Sequence, residues 1–391
     1  MINRFAVDGI RLESGSNNLI EGNYVGTDVS GLLGRGTGFD GVFIVGGSGG
    51  NRIGGLLPGQ GNVISGNNDE GIDLRIGSAN RIEGNLIGIA VDGTTALGNV
   101  SDGVQITGGT GNAVTANRIA ANGGLGIDLR DDGVTANDGA TTAGQPNLLM
   151  DFPIVTSALL AGTSLTVSGY VGSAPGQATF ANASVELFLA DADPTGFGEG
   201  RTLLGTLTAD ASGNFAGTLT VASLILGDRL TATATDPAGN TSEFGPNATV
   251  FAPVGMSGTV FEDFNYGGGG AGRDRASAGG SNRPAARVEL YDAAGGLVSF
   301  TASNAAGAYA FAGLAPGSYS VRVVNASVTS LRSGYGPGLL PVQTFRTDAA
   351  SGVALPVTDH VGGVIPSLAD AGNGARPVTA RPSSIAPSCG R

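Results

Sequence analysis

Carboxylates are the only side chains in this sequence numerous enough to build a reactive or metal-binding site. The sequence has 32 aspartates and glutamates, but one histidine, His360, and one cysteine, Cys389, both near the C-terminal end. This distribution argues against nucleophilic catalysis of the Ser-His or Cys-His type and against a histidine-based zinc site. Two kinds of chemistry remain, which are carboxylate-assisted cleavage of glycosidic bonds and binding of hard cations.

Asp73 and Asp128 are the candidate catalytic pair. Each is the middle residue of a repeated apolar-x-apolar triplet after a glycine, and Gln105 is the middle residue of the triplet between them. If each triplet is a strand in a stack, these side chains point outward and the two aspartates lie two rungs apart, roughly 9.6 Å. That distance is at the upper edge of the range for inverting glycosidases. The sequence therefore predicts ligand binding by Asp73, Gln105 and Asp128, with catalysis by the two aspartates as an alternative.

Three other acidic residues, Asp40, Glu70 and Asp102, stand directly before glycines at repeating positions. Stacked carboxylates could bind calcium. The preferred interpretation is a turn in which each side chain bonds its own backbone, since it requires no ion. A further candidate metal site is the loop of Asp191 and Asp193 together with Glu199.

These candidates lie mainly in a repeated segment, residues 17–132. The glycine before the triplet recurs at positions 9, 41, 71, 103 and 126, in steps of 32, 30, 32 and 23 residues. Two Asn-x-apolar motifs keep the same period, at Asn18, Asn51, Asn80 and Asn112 and at Asn23, Asn62, Asn85 and Asn117. Three short strands per repeat predict the three-sided coil of a parallel β-helix, with about five coils over residues 1–139.

Coil geometry gives each side chain a direction. Ile72 and Leu74 are expected to point inward, with the residue between them outward. Gly and Asn suit corners that need a positive φ, and Asn side chains of successive coils are expected to bond to one another. Segments 26–34 and 88–98 follow equivalent strands, so these two inserted loops should leave the coil at one corner. They would form either a binding surface or solvated decoration there.

Composition and charge narrow the class of protein. Of 391 residues 70 are Gly, 13% are charged and none is Trp, while helical periodicity is missing, which favours an all-β protein. The net charge of -12 argues against nucleic-acid binding and permits cations. No apolar run reaches the length of a membrane span, and one cysteine cannot form an intrachain disulfide. Residues 1–5 lack the apolar stretch of a secretory signal, so the sequence is expected to begin inside the solenoid.

Beyond the repeats, the hydrophobic pattern changes to the alternation of longer strands. Residues 147–252 are predicted to form an immunoglobulin-like sandwich, with strands at 164–171, 184–189, 215–221 and 229–234. Residues 255–374 are predicted to form a smaller sandwich, with strands at 257–261, 286–291, 308–311 and 319–323. Residues 375–391 form a tail rich in Pro, Ser and Ala that is expected to be disordered.

Several stretches resemble known bacterial modules. Residues 22–28 and 61–67 are similar to repeats of bacterial right-handed parallel β-helix proteins. Residues 234–244 resemble the closing strands of bacterial immunoglobulin-like repeats on large surface proteins. Residues 307–311 and 314–319 are similar to prealbumin-like stalk modules of the SdrD B and carboxypeptidase regulatory-like kinds. The resemblance implies a fold and an extracellular or cell-surface location in a bacterium, but no activity, because such modules recur on many surface proteins.

The last resemblance also implies a calcium site. In those stalk modules an Asp-x-Asn-x-Asp/Gly loop after the first strand binds calcium through oxygen ligands. Asp263 and Asn265 match the first two ligands, Gly267 stands in the third position, and Asp274 follows. Calcium at Asp263, Asn265 and Asp274 is therefore the cofactor that the sequence suggests.

Taken together, the sequence predicts a non-catalytic, adhesin-like surface or secreted protein. A β-helix face would contact a polysaccharide or a cell-surface glycan, and the two sandwiches would act as spacers. The alternatives are a polysaccharide-degrading hydrolase or lyase and a mechanical spacer without a ligand. An enzyme should have a groove walled by the two inserted loops, with Asp73 and Asp128 at its floor.

Overall fold

The computed structural model describes residues 1–47, 49–193, 195–262, 280–324, 327–331 and 333, and five short strands after residue 341. The chain forms two compact units, Met1–Ala252 and Pro253–Arg391. Helix in the described residues is limited to two 3-10 segments, Pro146–Leu149 and Ala178–Phe180, and to a 3-10 assignment at Ser327. The prediction of an all-β protein is confirmed. None of the described helical segments has the length and apolar character to cross a membrane.

The first part of unit 1 is a parallel β-solenoid with three faces. One sheet has the order β1 (Ile10–Leu12), β4 (Val42–Ile44), β7 (Ile72–Leu74), β10 (Val104–Ile106) and β13 (Ile127–Leu129). A second has β2 (Leu19–Ile20), β5 (Arg52–Gly54), β8 (Arg81–Glu83) and β11 (Ala113–Thr115). The third has β3 (Tyr24–Val25), β6 (Val63–Ile64), β9 (Leu86–Ile87) and β12 (Arg118–Ile119). All thirteen strands coincide with the repeated motifs, so the predicted solenoid is confirmed.

Asparagine ladders follow the corners of the solenoid. In one ladder the backbone N–H and the Nδ2 of Asn51 both donate to Oδ1 of Asn80, at 3.1 and 2.9 Å. Asn80 donates in the same way to Asn112, at 3.1 and 2.9 Å. The expected bonding between stacked Asn side chains is therefore confirmed. Each amide oxygen accepts hydrogen bonds from N–H groups that are buried at a corner of the solenoid.

The recurring glycine has a different reason from the one predicted. Gly41 and Gly71 have no positive φ, but a Cβ there would lie 2.6 Å from the carbonyl oxygen of the equivalent glycine in the next coil. A Cβ at Gly71 would also lie 2.8 Å from Cγ2 of Ile87. Close approach of adjacent coils, and not a left-handed backbone, excludes side chains at these positions.

The second part of unit 1 is a sandwich of two antiparallel sheets. One sheet has the order β14 (Pro153–Ala161), β15 (Ser164–Val171) and β18 (Asn214–Thr220). The other has β17 (Gly200–Thr208), β16 (Ser184–Ala190), β19 (Arg229–Thr235) and β20 (Ala248–Thr249). Strands β14, β17 and β20 were not predicted.

Unit 2 is built mainly of antiparallel pairs, with one parallel pair between its second and last strands. Its strands are β21 (Val254–Thr259), β22 (Phe261–Glu262), β23 (Ser281–Asn282), β24 (Arg287–Tyr291), β25 (Leu297–Ala302), β26 (Ala308–Leu314), β27 (Tyr319–Val323), β28 (Val342–Gln343), β29 (Phe345–Thr347), β30 (Ala354–Pro356), β31 (Val378–Ala380) and β32 (Ser388–Gly390). Strands β23, β25, β28, β29 and β30 were not predicted. Of the tail predicted to be disordered, β31 and β32 are described, and the rest lies outside the described residues.

Candidate functional site

The predicted outward row is in register on the five-stranded sheet. Gln105 pairs with Asp73 on one side and with Asp128 on the other, so the two aspartates lie two rungs apart as expected. All three side chains are buried, and Asp73 has 0% of its surface exposed. The row therefore faces other protein atoms, and its assignment to a glycan site stays a prediction.

Both aspartates have partners within the chain. Oδ2 of Asp73 accepts a hydrogen bond from Nε of Arg75 at 2.7 Å. The two oxygens of Asp128 accept the backbone N–H groups of Asp131 and Gly133, each at 3.0 Å. Asp128 thus fixes the turn that leaves the last coil, a structural role that needs no substrate.

Asp73 belongs to a buried acidic cluster with Asp40 and Glu70. One oxygen of each of these three carboxylates lies within 4.8 Å of the others. Asp40 and Glu70 are hydrogen-bonded to each other, and Nε2 of Gln105 donates to Oε1 of Glu70 at 3.2 Å. Oδ1 of Asp73 is buried and has no hydrogen-bond partner. A turn in which each side chain bonds only its own backbone does not fully describe Asp40 and Glu70, because these side chains from successive coils contact each other.

Burial makes ionisation of these carboxyl groups unfavourable. It raises the pKa of Asp73 to about 6, although the hydrogen bond from Arg75 lowers it. Burial and the hydrogen bond to Asp40 raise the pKa of Glu70 to about 8. Burial is also the main cause that raises the pKa of Asp40. In Asp102 burial outweighs a hydrogen bond from the N–H of Leu125, so its pKa rises to about 6.

The two inserted loops lie on a different face. They follow β3 and β9 on the third sheet, which confirms that they leave at one corner. Each loop closes as a small hairpin, with bridges between Thr27 and Gly34 and between Ile89 and Ala96. The N–H of Val91 donates to the carbonyl oxygen of Gly31 at 3.0 Å, so the loops contact each other and form one continuous wall.

A groove with a volume of about 640 Å³ runs beside this wall. Its floor is the outward side of the third sheet, and its second wall is the loop between β5 and β6. The larger apolar residues that line it include Tyr24, Leu56, Leu57, Val63, Leu86 and Val91. Leu56 and Leu57 are 65% and 67% exposed. Among the described residues that line the groove, none is a carboxylate, a histidine or a cysteine. This groove can bind a ligand, but its own side chains offer no general acid or base.

Three buried glutamates lie at the C-terminal end of the solenoid; sequence analysis missed two of them and named Glu199 only as a candidate metal ligand. Glu186, Glu199 and Glu243, all from the sandwich, accept hydrogen bonds from backbone N–H groups of the last coil. Glu243 accepts the N–H of Leu129 at 2.9 Å and that of Thr135 at 2.8 Å. These carboxylates accept hydrogen bonds from backbone N–H groups that would otherwise have no partner at the end of the solenoid.

Apolar residues of the sandwich complete the same end. Phe188 and Phe244 pack into the hydrophobic core of the solenoid, with an edge-to-face contact of 5.5 Å between ring centroids. The sequence did contain one signal of this cap, which is Phe188. Because side chains alternate along a strand, Phe188 and Glu186 lie on the face of β16 that points away from the sandwich core. An apolar residue on that side indicates a second buried face.

The other predicted metal ligands have different outcomes. Asp191 accepts the N–H of Glu199 at 3.0 Å and the N–H of Ala121 at 3.2 Å, so it belongs to the solenoid–sandwich contact. Asp263, Asn265 and Asp274 lie outside the described residues, as does His360. The calcium site in that loop stays a prediction.

No family model matches the chain. The major pilin subunit BcpA of Bacillus cereus is 11% identical, with a TM-score of 0.21 over 61% of this chain and 70% of that chain. The group B streptococcus pilus 2b backbone protein is 9% identical, with a TM-score of 0.19 over 61% of this chain and 98% of that chain. A tetra-tandem repeat from the extending region of a large adhesion protein is 19% identical, with a TM-score of 0.18 and coverage of 44% of each chain. TM-scores of this size do not establish a shared fold.

Proposed function

We propose that this chain is an adhesin-like, non-catalytic protein of a bacterial surface, and that its solenoid contacts a polysaccharide or cell-surface glycan through the loop-walled groove. The observation that carries the proposal is the lining of the groove, which combines exposed apolar residues with Tyr24 and has no acid or base among the described residues. Tyr24 offers a flat apolar ring together with a hydroxyl group, which suits a ligand with apolar faces and many hydroxyl groups.

The position of the acidic residues supports binding over hydrolysis. A polysaccharide-degrading enzyme would need Asp73 and Asp128 at the floor of the groove. The aspartates lie on the sheet that contains β7 and β13, whereas the groove lies on the sheet that contains β3, β6 and β9. Both carboxylates are also buried and hydrogen-bonded within the chain. A sugar in the groove would therefore not meet them.

In this proposal the sandwich of unit 1 and the strands of unit 2 are spacers of the immunoglobulin-like and prealbumin-like kinds. The cap that the sandwich forms on the solenoid supports this role, because it joins the two parts of unit 1 through hydrogen bonds and a shared core. Such a joint holds the solenoid in a fixed orientation relative to the sandwich.

Retention on immobilised glycans tests the proposal. The full chain should be retained on at least one of a panel of acidic and neutral polysaccharides, and Leu56→Ser/Leu57→Ser should abolish this retention. A matched control is Ile225→Ser/Leu226→Ser, which alters two neighbouring aliphatic residues of the sandwich that are 65% and 55% exposed. Equal retention of both double variants would show that the groove is not the contact surface.

A further inference from the structure

The acidic cluster of Asp40, Glu70 and Asp73 has the spacing of a cation site. Asp40 and Glu70 precede equivalent glycines in successive coils, and Asp73 is the middle residue of the strand after Glu70. One oxygen from each residue lies within 4.8 Å of the other two. Calcium binds oxygen ligands at about 2.3–2.6 Å, so ligands on opposite sides of one ion are separated by about 4.6–5.2 Å.

An unpaired oxygen gives independent evidence for a ligand. The side chain of Asp73 is completely buried, and its Oδ2 is occupied by the hydrogen bond from Arg75. Its Oδ1 is buried as well, yet it accepts no hydrogen bond. A buried carboxylate oxygen is normally paired with a donor or with a metal ion, because leaving it unpaired is costly.

The negative charge of the three carboxylates also favours a bound cation. Three carboxylates meet where the nearest basic group is Arg75, whose side chain is 58% exposed and therefore screened by water. Within this cluster, Oδ1 of Asp73 is buried and has no hydrogen-bond partner. A divalent ion would neutralise two of the three negative charges and reach all three residues.

The chemistry of the donors selects the class of ion. The described cluster offers only carboxylate oxygens, and hard cations such as calcium, magnesium and manganese prefer oxygen ligands. Gln105, which contacts Glu70 at 3.2 Å, would add a neutral oxygen if its amide turned over. Zinc and copper are disfavoured, because neither histidine nor cysteine is in the cluster.

We propose that Asp40, Glu70 and Asp73 bind one hard divalent cation of the calcium class. The ion joins the coil that contains β4 to the coil that contains β7. This site is separate from the loop-walled groove, so the proposal does not depend on glycan binding. It is also separate from the loop of Asp263, Asn265 and Asp274.

The test is thermal unfolding of the full chain after treatment with a chelator, with and without added calcium, magnesium or manganese chloride. At a concentration roughly 100 times the Kd, the favoured ion should raise the Tm of unit 1 by about 5 °C or more. Asp73→Asn and Glu70→Gln should remove this increase. The control Asp132→Asn, which changes a side chain that is 45% exposed, should keep it.

Two further measurements test the proposal. One is the stability of the variants in chelator, and the other is the effect of a substitution in the second candidate site. In chelator, Asp73→Asn and Glu70→Gln should melt at or above the temperature of the unsubstituted chain, since each removes one of three carboxyl groups that are crowded together in a buried site. Asp263→Asn should leave the ion-dependent increase unchanged. An identical Tm with chelator and with every ion would overturn the proposal, and so would an increase that Asp263→Asn removes but Asp73→Asn keeps.

Discussion

The side chain of Asn122 donates from Nδ2 to Oε1 of Glu199 at 2.7 Å, and its backbone N–H donates to Oε2 at 2.9 Å. Asn122 is the last amide of a ladder that runs through Asn67 and Asn99, so Glu199 stands where the next coil would supply another amide. The sandwich therefore ends the solenoid by imitating a further coil. Edges of sheets are otherwise sites of unwanted pairing.

This cap predicts a stability that depends on pH. Burial raises the pKa of Glu199 from 4.5 to about 8, so the folded state binds this proton more tightly than the unfolded state. The protonated group makes its full contribution to the free energy of unfolding below about pH 4.5. This contribution is lost as the pH rises toward about 8. The urea midpoint of unit 1 should fall over this range, and Glu199→Gln should flatten the fall. An unchanged slope in this variant, with Glu13→Gln as the exposed control, would contradict the assignment.

The asparagine ladders should contribute to stability unequally along their length. Asn85 is buried and lies in the middle of its ladder, where it accepts two hydrogen bonds from Asn62 and donates two to Asn117. Asn85→Ala should cost on the order of 1–3 kcal/mol, because it leaves buried donors unpaired. Asn18→Ala, at the exposed start of another ladder, should cost much less. Equal losses in the free energy of unfolding would show that the amides act only as turn residues.

Close approach at the recurring glycines gives a third prediction. A Cβ at Gly71 would lie 2.6 Å from the carbonyl oxygen of Gly103, which the rigid coil cannot relieve cheaply. Gly71→Ala should destabilise unit 1 by about 1–3 kcal/mol. At Gly34 the nearest atom would lie 3.9 Å away, so Gly34→Ala should be tolerated. Circular dichroism during urea unfolding measures both, and a tolerated Gly71→Ala would refute the packing argument.

The aromatic pair at the cap gives a fourth prediction. Phe244→Ala should cost about 3–5 kcal/mol, since the ring fills the end of the solenoid core. Phe188→Ala should have a similar effect, and the double variant should cost less than the sum, because the two rings touch at 5.5 Å between centroids. Phe251, which is 45% exposed, supplies the control. Additive effects in denaturant unfolding would show that the rings act independently.

The solenoid was predictable from the sequence because its constraints are local and repeated. Each strand is marked by its own glycine or asparagine, and the spacing alone put Asp73, Gln105 and Asp128 in one row. The cap was not predictable, since Glu186 and Glu243 look like ordinary polar residues of sandwich strands. Their burial depends on a contact between segments about 70 to 114 positions apart. The acidic cluster was predictable only in part. Asp40 and Glu70 were identified from their repeated positions, but their contact with Asp73 depends on how the coils stack.

The most direct test of the proposed function measures retention and turnover on the same polysaccharide panel. The account predicts that the chain is retained on at least one glycan, that Leu56→Ser/Leu57→Ser abolishes retention, and that neither reducing sugars nor unsaturated products are released. Release of such products that Asp73→Asn/Asp128→Asn abolishes would contradict the account and establish the buried aspartates as a catalytic pair.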